Sequence, residues 1–430
     1  MPLRLDSAQP DFEQRFVDLL GAKRESSKDV NDVVAGIIAD VRARGDEAVV
    51  ELTNKFDRTS FTTADIAFTA EEIAAAAAEV PAHVRAALQT AHDRIKSHHE
   101  KQKPQDHVYT DALGVTLGSR WTAVDAVGIY VPGGLASYPS SVLMNAVPAR
   151  VAGVSRIAMA VPTPDGEINP TVLAAAQIAG ITEIYRIGGA QAVAALAYGT
   201  ATIPRVDKVT GPGNAYVATA KRQVFGQVGI DMIAGPSEVL VIADSSANPA
   251  WVAADLIAQA EHGAGAQSIL VTTDPRLADA VEAEMDRQLS LLPKQAIARQ
   301  GWNELGAIIT VTSLDQAADL ANRIASEHVE IATDDPQALV PKIRHAGAIF
   351  LGHHTPEAIG DYVGGSNHVL PTARSARFAS GLGVLDFMKR TSILGCTPFS
   401  LAALAEPAVT IAGVEDLDGH GRSISIRLNR

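Results

Sequence analysis

Residues 123–134, which read AVDAVGIYVPGG, decide the fold of this chain. A short run of Val and Ile that ends in Pro and Gly is typical of a buried strand leading into a turn. Similar runs follow at 157–161, 184–187, 208–210 and 238–243, and a helical segment separates each run from the next. This alternation predicts a parallel sheet with helices packed on its faces.

A second set of the same kind follows towards the C-terminus. Apolar runs at 268–272, 307–311 and 348–351 alternate with helical patterns at 249–261, 275–291 and 314–326. The sequence therefore predicts an α/β protein with two units of similar build, one inserted into the other. The alternating tail at 423–428 predicts a strand or arm.

Charge and cysteine content exclude several classes of protein. The 430 residues include 36 Lys and Arg against 49 Asp and Glu, a net charge of -13 that opposes binding to nucleic acid. The single cysteine, Cys396, excludes an intramolecular disulfide and an all-thiolate zinc site, and it fits a reducing compartment. No run of 18 apolar residues is present, so we expect a cytoplasmic protein with no membrane partner.

Residues 256–263, LIAQAEHG, carry the first candidate site. Gln259 and His262 are three positions apart and therefore share one helical face, and Gly263 ends the helix. An imidazole and an amide oxygen are both acceptable to a divalent metal such as Zn²⁺. The alternative is a polar helix end that His262 caps with its charge.

An acid and a histidine also stand together at Glu327 and His328, which we place at a helix end. Adjacent helical positions point about 100° apart, so these side chains are expected to face one pocket without touching each other. A carboxylate that activates water and an imidazole that relays protons suit stepwise oxidation and hydration. A solvated acidic helix end is the equally simple alternative.

The loop at 360–371, GDYVGGSNHVLP, collects an acid, a hydroxyl, an amide and a histidine within eight residues. A loop of this composition, here with Asp361 and His368, indicates a site more often than a scaffold. Glu415 and His420 are five residues apart in a turn-rich stretch and carry little weight alone.

Two glycine-rich turns are candidates for binding phosphate. Residues 210–214 (TGPGN) follow a strand and open a helix, which directs backbone N–H groups and Asn214 towards an anion. Residues 188–191 (GGAQ), which include Gln191, have the same context, yet no G-x-G-x-x-G fingerprint occurs. The position of Tyr130 at the end of a predicted strand fits two interpretations, a side chain that contacts a cofactor or a buried aromatic side chain.

Taken together, these motifs resemble the histidinol dehydrogenase family from residue 45 to residue 420. The motifs that carry the resemblance are GDEA at 45–48, IDMIAGPSEV at 230–239, Gln259 with His262, SEH at 326–328, GSNHVLPT at 365–372, DFMKR at 386–390 and His420. Several long motifs in the right order are more specific than any one of them.

The resemblance implies an NAD-dependent, zinc-containing homodimer that oxidises L-histidinol through L-histidinal to L-histidine. Glu327 is then expected to activate water and His328 to act as the general base. The remaining implied roles fall into three sets: the zinc ligands and substrate contacts Gln259, His262, Asp361 and His420, the last from the other subunit; the further substrate contacts Ser237, His328, His368 and Glu415; and the NAD contacts Tyr130, Gln191 and Asn214.

For the fold, the resemblance implies two incomplete Rossmann-like parallel-sheet domains with small N- and C-terminal segments. The expected division is an arm at 1–24, a discontinuous core at 25–129 and 238–380 with the zinc and catalytic residues, an inserted NAD-contacting domain at 130–237, and a dimerisation domain at 381–430.

Two alternatives remain at this point. A relative that oxidises another small alcohol, such as a sulfonated diol, would keep the fold but differ in the residues that recognise the imidazole and amine of histidinol. A noncatalytic metal or nucleotide sensor would need no acid–base pair beside its metal.

Overall fold

The computed structural model describes residues 2–21, 28–133, 138–233, 235–263, 265–293 and 295–429. The strands are β1 (Leu3–Asp6), β2 (His107–Thr110), β3 (Thr116–Ala123), β4 (Ala126–Tyr130), β5 (Arg156–Ala160), β6 (Glu183–Tyr185), β7 (Lys208–Thr210), β8 (Gly229–Ile230), β9 (Glu238–Ala243), β10 (Gln267–Thr272), β11 (Ala307–Thr310), β12 (His328–Ala332), β13 (Ala348–Leu351) and β14 (Met388–Gly395).

The α-helices are α1 (Phe12–Gly21), α2 (Lys28–Arg44), α3 (Asp46–Asp57), α4 (Ala70–Glu79), α5 (Ala82–Glu100), α6 (Pro139–Ala152), α7 (Pro170–Ile178), α8 (Gly189–Tyr198), α9 (Ala215–Val224), α10 (Pro249–Ala260), α11 (Pro275–Leu289), α12 (Gln295–Leu305), α13 (Leu314–Ile324), α14 (Glu357–Tyr362), α15 (Pro398–Val414) and α16 (Asp418–Ser425). Short 3-10 turns connect several of them.

The first α/β unit is built on a parallel sheet with the strand order β6-β5-β4-β7-β8 among the described residues. Strand β4 is buried along its whole length and pairs Val127 with Ile157 on one side and Lys208 on the other. Helices α4 to α7 pack in a core on one face, and α2, α3, α8 and α9 pack on the other. The predicted alternation of strands and helices is confirmed in this part of the chain.

The second unit is built on a parallel sheet whose described strands have the order β1-β11-β10-β9-β12-β13. Along the central strand β9, Leu240 and Ile242 pack into the core on one face, whereas Val239 and Val241 pack into the core on the other. Burial on both faces explains the continuous apolar runs that predicted these strands. The predicted fold class, α/β with two parallel-sheet units, is therefore confirmed.

Strand β1 joins the edge of this sheet, where Leu3 pairs with Ala307 of β11. No local pattern predicts this strand, since its four residues carry no flanking signal and pair with a segment some 300 positions away.

The C-terminal part is built differently. Strands β14, β3 and β2 form an antiparallel sheet, and α15 packs against α16. The predicted strand at 423–428 is wrong, because these residues complete α16 and a 3-10 turn, Ile426–Leu428. Local helical hydrogen bonds outweigh this six-residue alternating pattern. None of the helices in the described ranges is long and apolar enough to cross a membrane.

Candidate active site

The candidate site is centred on the amino ends of the adjacent strands β9 and β12. Helix α13 ends where Ala325 adopts a left-handed conformation, with φ of 50° and ψ of 51°. The chain then turns, and His328 becomes the first residue of β12, paired with Val239 of β9. The predicted helix end at Glu327 and His328 is therefore wrong, because the helix has already stopped and a strand begins.

His328 is buried, and its two ring nitrogens have different environments. The Nδ1 atom lies 3.0 Å from the carbonyl oxygen of Glu238, which can only accept, so Nδ1 carries the proton and donates it. The Nε2 atom has no hydrogen-bond partner in the described part of the chain, and Oδ1 of Asp361 lies 3.9 Å from it. Nε2 is therefore the atom that is able to accept a proton.

Electrostatics favour the neutral ring. Burial lowers the pKa of His328, and the negative charge of Asp361 opposes this shift. The charges of His262 and His368 lower the pKa further. A neutral imidazole with one nitrogen held and the other unpaired has the form of a general base.

Glu327 points into the same buried region. Its Oε2 atom accepts a hydrogen bond from the backbone N–H of Glu238 at 3.0 Å and lies 3.8 Å from His328 Nδ1. Burial raises the pKa of Glu327 well above its usual range, while the Glu238 N–H and the Ser237 hydroxyl act in the opposite direction. Glu327 and His328 thus approach each other, contrary to the prediction that they would not touch.

Gln259 and His262 come together as predicted. Gln259 is in the last turn of α10, and its Nε2 atom lies 3.2 Å from His262 Nδ1. The Gln259 side chain has no solvent exposure, and its Oε1 atom has no hydrogen-bond partner among the described residues. His262 is exposed in the single chain. A buried oxygen without a partner beside an accessible imidazole is the pattern of an incomplete ligand set.

Asp361 and His368 close the other side of the site. His368 Nδ1 donates to the backbone carbonyl of Asp361 at 2.9 Å, and its Nε2 atom lies 3.3 Å from the hydroxyl of Ser141. Burial lowers the pKa of His368, whereas the Asp361 carboxylate raises it. The loop at 360–371 therefore belongs to the same constellation as His328.

The two sheets meet at this point. Ser141 is at the start of α6, the first helix after β4, whereas His368 follows α14 of the second unit. The side-chain amide of Asn367 donates to the carbonyl oxygen of Met144 at 2.6 Å and adds a second link. The amino edge of the six-stranded sheet is thus held against the carboxyl edge of the five-stranded sheet.

The predicted cofactor residues lie along that carboxyl edge. The buried Tyr130 hydroxyl, at the end of β4, accepts a hydrogen bond from the backbone N–H of Gly189 at 3.1 Å. Burial raises the pKa of Tyr130 to about 12. Gln191 is buried, and its Oε1 atom packs so closely against Gly189 that a Cβ on this glycine would lie 2.8 Å from it. Asn214 caps α9, because its side-chain oxygen accepts hydrogen bonds from the backbone N–H groups of Tyr216 and Val217.

Glu415 and His420 are not with the other residues. Both are exposed on the C-terminal helical segment, Glu415 at the end of α15 and His420 within α16. Neither is among the charges that shift the pKa of His328 or His368. One copy of the chain does not bring them to the site.

Sequence reasoning missed Glu357, Glu330 and Ser141. The Oε2 atom of Glu357 lies 3.4 Å from His328 Nδ1, and its backbone N–H donates to Glu330 Oε1 at 2.6 Å. Burial raises the pKa of both acids well above the usual range. Glu330 had a detectable signal, an acid inside the apolar run HVEIA, whereas Glu357 and Ser141 had none.

A complete metal site is not found within one chain. Over the ranges that the structure describes, no group of three His, Cys, Asp or Glu side chains converges in a way that could hold a metal ion. The predicted ligands from one copy, Gln259, His262 and Asp361, include only two residues of those types.

Known proteins show clear similarity to this chain. The family model of histidinol dehydrogenase matches residues 21–428. Histidinol dehydrogenases from Ruegeria pomeroyi and Nitrobacter winogradskyi are each 63% identical to it; the first match covers 100% of this chain and 99% of the relative, the second 100% of both. The crystal structure of histidinol dehydrogenase from Elizabethkingia anophelis superposes with a TM-score of 0.95 at 36% identity, covering 100% of this chain and 98% of that chain. The chain therefore belongs to the histidinol dehydrogenase family, a family of oxidoreductases.

Proposed function

We propose that the chain oxidises L-histidinol through L-histidinal to L-histidine and reduces two NAD⁺ in the process. The observation that carries this proposal is the state of His328: its Nδ1–H donates to the Glu238 carbonyl, while its buried Nε2 atom has no hydrogen-bond partner among the residues that the structure describes. Two successive oxidations of one carbon each require a proton to be removed from oxygen, and this nitrogen can remove it in both.

Gln259, His262 and Asp361 fit a zinc ion. The Gln259 Oε1 atom is fully buried and has no hydrogen-bond partner within the described ranges, an arrangement that costs free energy unless a ligand satisfies it. His420 from a second copy would complete the set. A bound Zn²⁺ would supply an anchor for the imidazole and amine of the substrate.

In the alcohol step, His328 Nε2 takes the hydroxyl proton, and bound NAD⁺ supplies the acceptor for the hydride. Glu327 then takes a proton from the water that adds to the aldehyde. Its raised pKa makes its carboxylate a stronger base than an ordinary one. His328 releases its first proton to solvent, and its Nε2 atom then removes a proton from the hydrate while the second hydride leaves for a second NAD⁺.

Three further residues are proposed to contact the substrate. Ser237 acts on Glu327 through its hydroxyl, which lowers the pKa of that carboxyl. His368 lies beside the Asp361 backbone, on the side of the site that faces α6. Glu415 would enter from a second copy together with His420.

For NAD⁺, a cavity of about 630 Å³ opens beside the carboxyl edge of the five-stranded sheet. Its apolar wall includes Phe68, Pro132 and Val161. Pro162 also lines the cavity. Its ring packs so closely against Gly188 that a Cβ on Gly188 would lie 2.5 Å from Cβ of Pro162. The cavity thus adjoins the turn that Tyr130 and Gln191 support, and Asn214 opens the neighbouring helix.

The exposed apolar side chains of the C-terminal part support a homodimer. Leu394 of β14, Phe399 of α15 and Val414 of α15 are 72%, 77% and 81% exposed in one copy. Large apolar side chains exposed in one region mark an interaction surface. Since Glu415 and His420 belong to this same part, its pairing with a second copy is the route by which they would reach the site.

The division of the chain into domains at 24/25, 129/130, 237/238 and 380/381 also stays a proposal, as does a cytoplasmic location. The two parallel sheets support an inserted unit. The boundary at 129/130 is the exception, because strand β4 and helices α2 to α5, which the division counts with the core, pack with the five-stranded sheet of the inserted unit. An exposed free thiol at Cys396 supports a reducing compartment.

The stoichiometry of NADH formation tests the function directly. Conversion of an alcohol to a carboxylate releases four electrons, so we expect about two NADH for each L-histidinol consumed. Absorbance of NADH combined with chromatographic assay of histidine measures the ratio. A ratio of one would indicate an alcohol-only oxidase, and no NADH from protein with full zinc would favour a sensor.

Glu327→Gln tests the water-activating role. The amide keeps the shape but cannot accept the proton of water, so we expect oxidation of L-histidinal to slow by about 10²–10⁴-fold, with a smaller effect on the alcohol step. Single-turnover rates with each substrate measure the two steps separately. Oxidation of L-histidinal at the wild-type rate would refute the role.

His262→Asn tests zinc ligation. We expect zinc and activity to be lost together, because one of few ligands has been removed. Elemental analysis of the purified protein measures the metal. The matched control is His354→Asn, an exposed histidine beside Trp251, which should retain both zinc and activity. Full zinc occupancy in His262→Asn would count against ligation.

Mixing two inactive variants tests whether the site is shared between subunits. In a twofold dimer of His262→Asn with His420→Asn, one site carries both changes and the other carries neither. Random exchange makes about half of the dimers mixed, so we expect about one quarter of wild-type activity to return. Subunit exchange is verified with differently tagged chains. Exchange without recovery would place the site within one chain.

A further inference from the structure

We propose that the buried ion pair between Lys221 and Asp231 is a positioning device for NAD⁺, acting through the backbone of the turn at 210–214. The inference rests on the proposed NAD⁺ function of that turn. Neither residue takes part in the proton transfers described above.

The pair holds one residue of the turn from both sides. Asp231 Oδ2 accepts a hydrogen bond from the backbone N–H of Gly211 at 2.8 Å, and Lys221 Nζ donates to the carbonyl oxygen of Gly211, also at 2.8 Å. The two side chains also form an ion pair with each other, and they are only 2% and 0% exposed. Both polar groups of the Gly211 backbone are therefore satisfied by this one pair.

The turn has little freedom to adopt another shape. Gly211 has φ of 113°, a conformation that favours glycine, and a Cβ there would lie 2.1 Å from the carbonyl oxygen of Tyr130. A Cβ on Gly213 would lie 2.4 Å from Cγ1 of Val217 in α9. The turn is thus packed between the end of β4 and the first turn of α9, next to the Asn214 cap.

Stability alone is a poor explanation for this pair. Burying two charges costs solvation energy that their mutual attraction largely cancels, and apolar side chains of similar volume are often as stable. A charged pair instead contributes geometric specificity, since its hydrogen bonds are strong only in one geometry. Here that geometry sets the position of the turn proposed to receive the cofactor.

The double variant Lys221→Met/Asp231→Asn removes both charges and leaves neither one unpaired. The amide oxygen that replaces the carboxylate would still accept from the Gly211 N–H, but the bond to the Gly211 carbonyl would be lost. We expect KM and Kd for NAD⁺ to rise about tenfold. This is less than the ~10²-fold loss of rate that a 1 Å misplacement causes at a reacting centre, because the pair acts on the cofactor through the backbone of the turn. The kcat at saturating NAD⁺ and the KM for L-histidinol should stay within about twofold.

Glu183→Gln is the matched control. It breaks an ion pair with Arg156 in the same sheet but at the opposite, amino edge, where β5 and β6 begin. We expect it to lower stability without changing KM or Kd for NAD⁺. Lys221→Arg keeps the charge and alters its reach, so it should raise the KM for NAD⁺ even if the double variant does not fold.

The inference is overturned if folded Lys221 and Asp231 variants bind NAD⁺ as wild type does, or if they lose only stability, as Glu183→Gln should. These outcomes leave the proposed function intact, because wild type would still reduce NAD⁺. Absence of NAD⁺ reduction by wild type with L-histidinol would instead contradict the proposed function itself.

Discussion

The hydrogen bond from His328 Nδ1 to the carbonyl oxygen of Glu238 is the interaction on which the rest of the site depends. It exists because β12 pairs in parallel with β9, with His328 opposite Val239, so that the imidazole ring stands beside the residue before Val239. This one bond selects the tautomer and leaves Nε2 to face the site. A shift of the register by one residue would turn the His328 side chain to the other face of the sheet.

The surroundings of this histidine are unfavourable for folding and useful for chemistry. Glu327, Glu330 and Glu357 are buried close together, and burial raises the pKa of each well above its usual range. Carboxyl groups in such a place cost free energy that the apolar cores on both faces of the sheets must offset. Sites that hold strained or poorly solvated groups in this way are common where proton transfer takes place.

Contact between the five-stranded and six-stranded sheets meets a second requirement of the proposed oxidation, that the base and the cofactor lie close together. A base alone does not oxidise an alcohol, because a hydride acceptor must lie next to the same carbon. The contact between Ser141 and His368 and the bond from Asn367 to Met144 hold the start of α6 against the loop after α14. The proposed cofactor turns, which end strands of the first unit, are thereby brought to the proton-accepting residues of the second.

Local pattern in the sequence determined the parallel strands β4 to β7, β9 to β11 and β13, the α/β class, and the contact between Gln259 and His262. Each of these follows from the periodicity of a short segment, which neighbouring residues set by themselves. The tertiary structure decided where Glu327 and His328 lie, because the left-handed Ala325 ends α13 at Ile324, two residues before the end that the apolar pattern predicts, and His328 begins β12. It also decided that β1 joins β11 and that Glu357 faces His328, since pairings between distant segments arise from packing that no local pattern encodes.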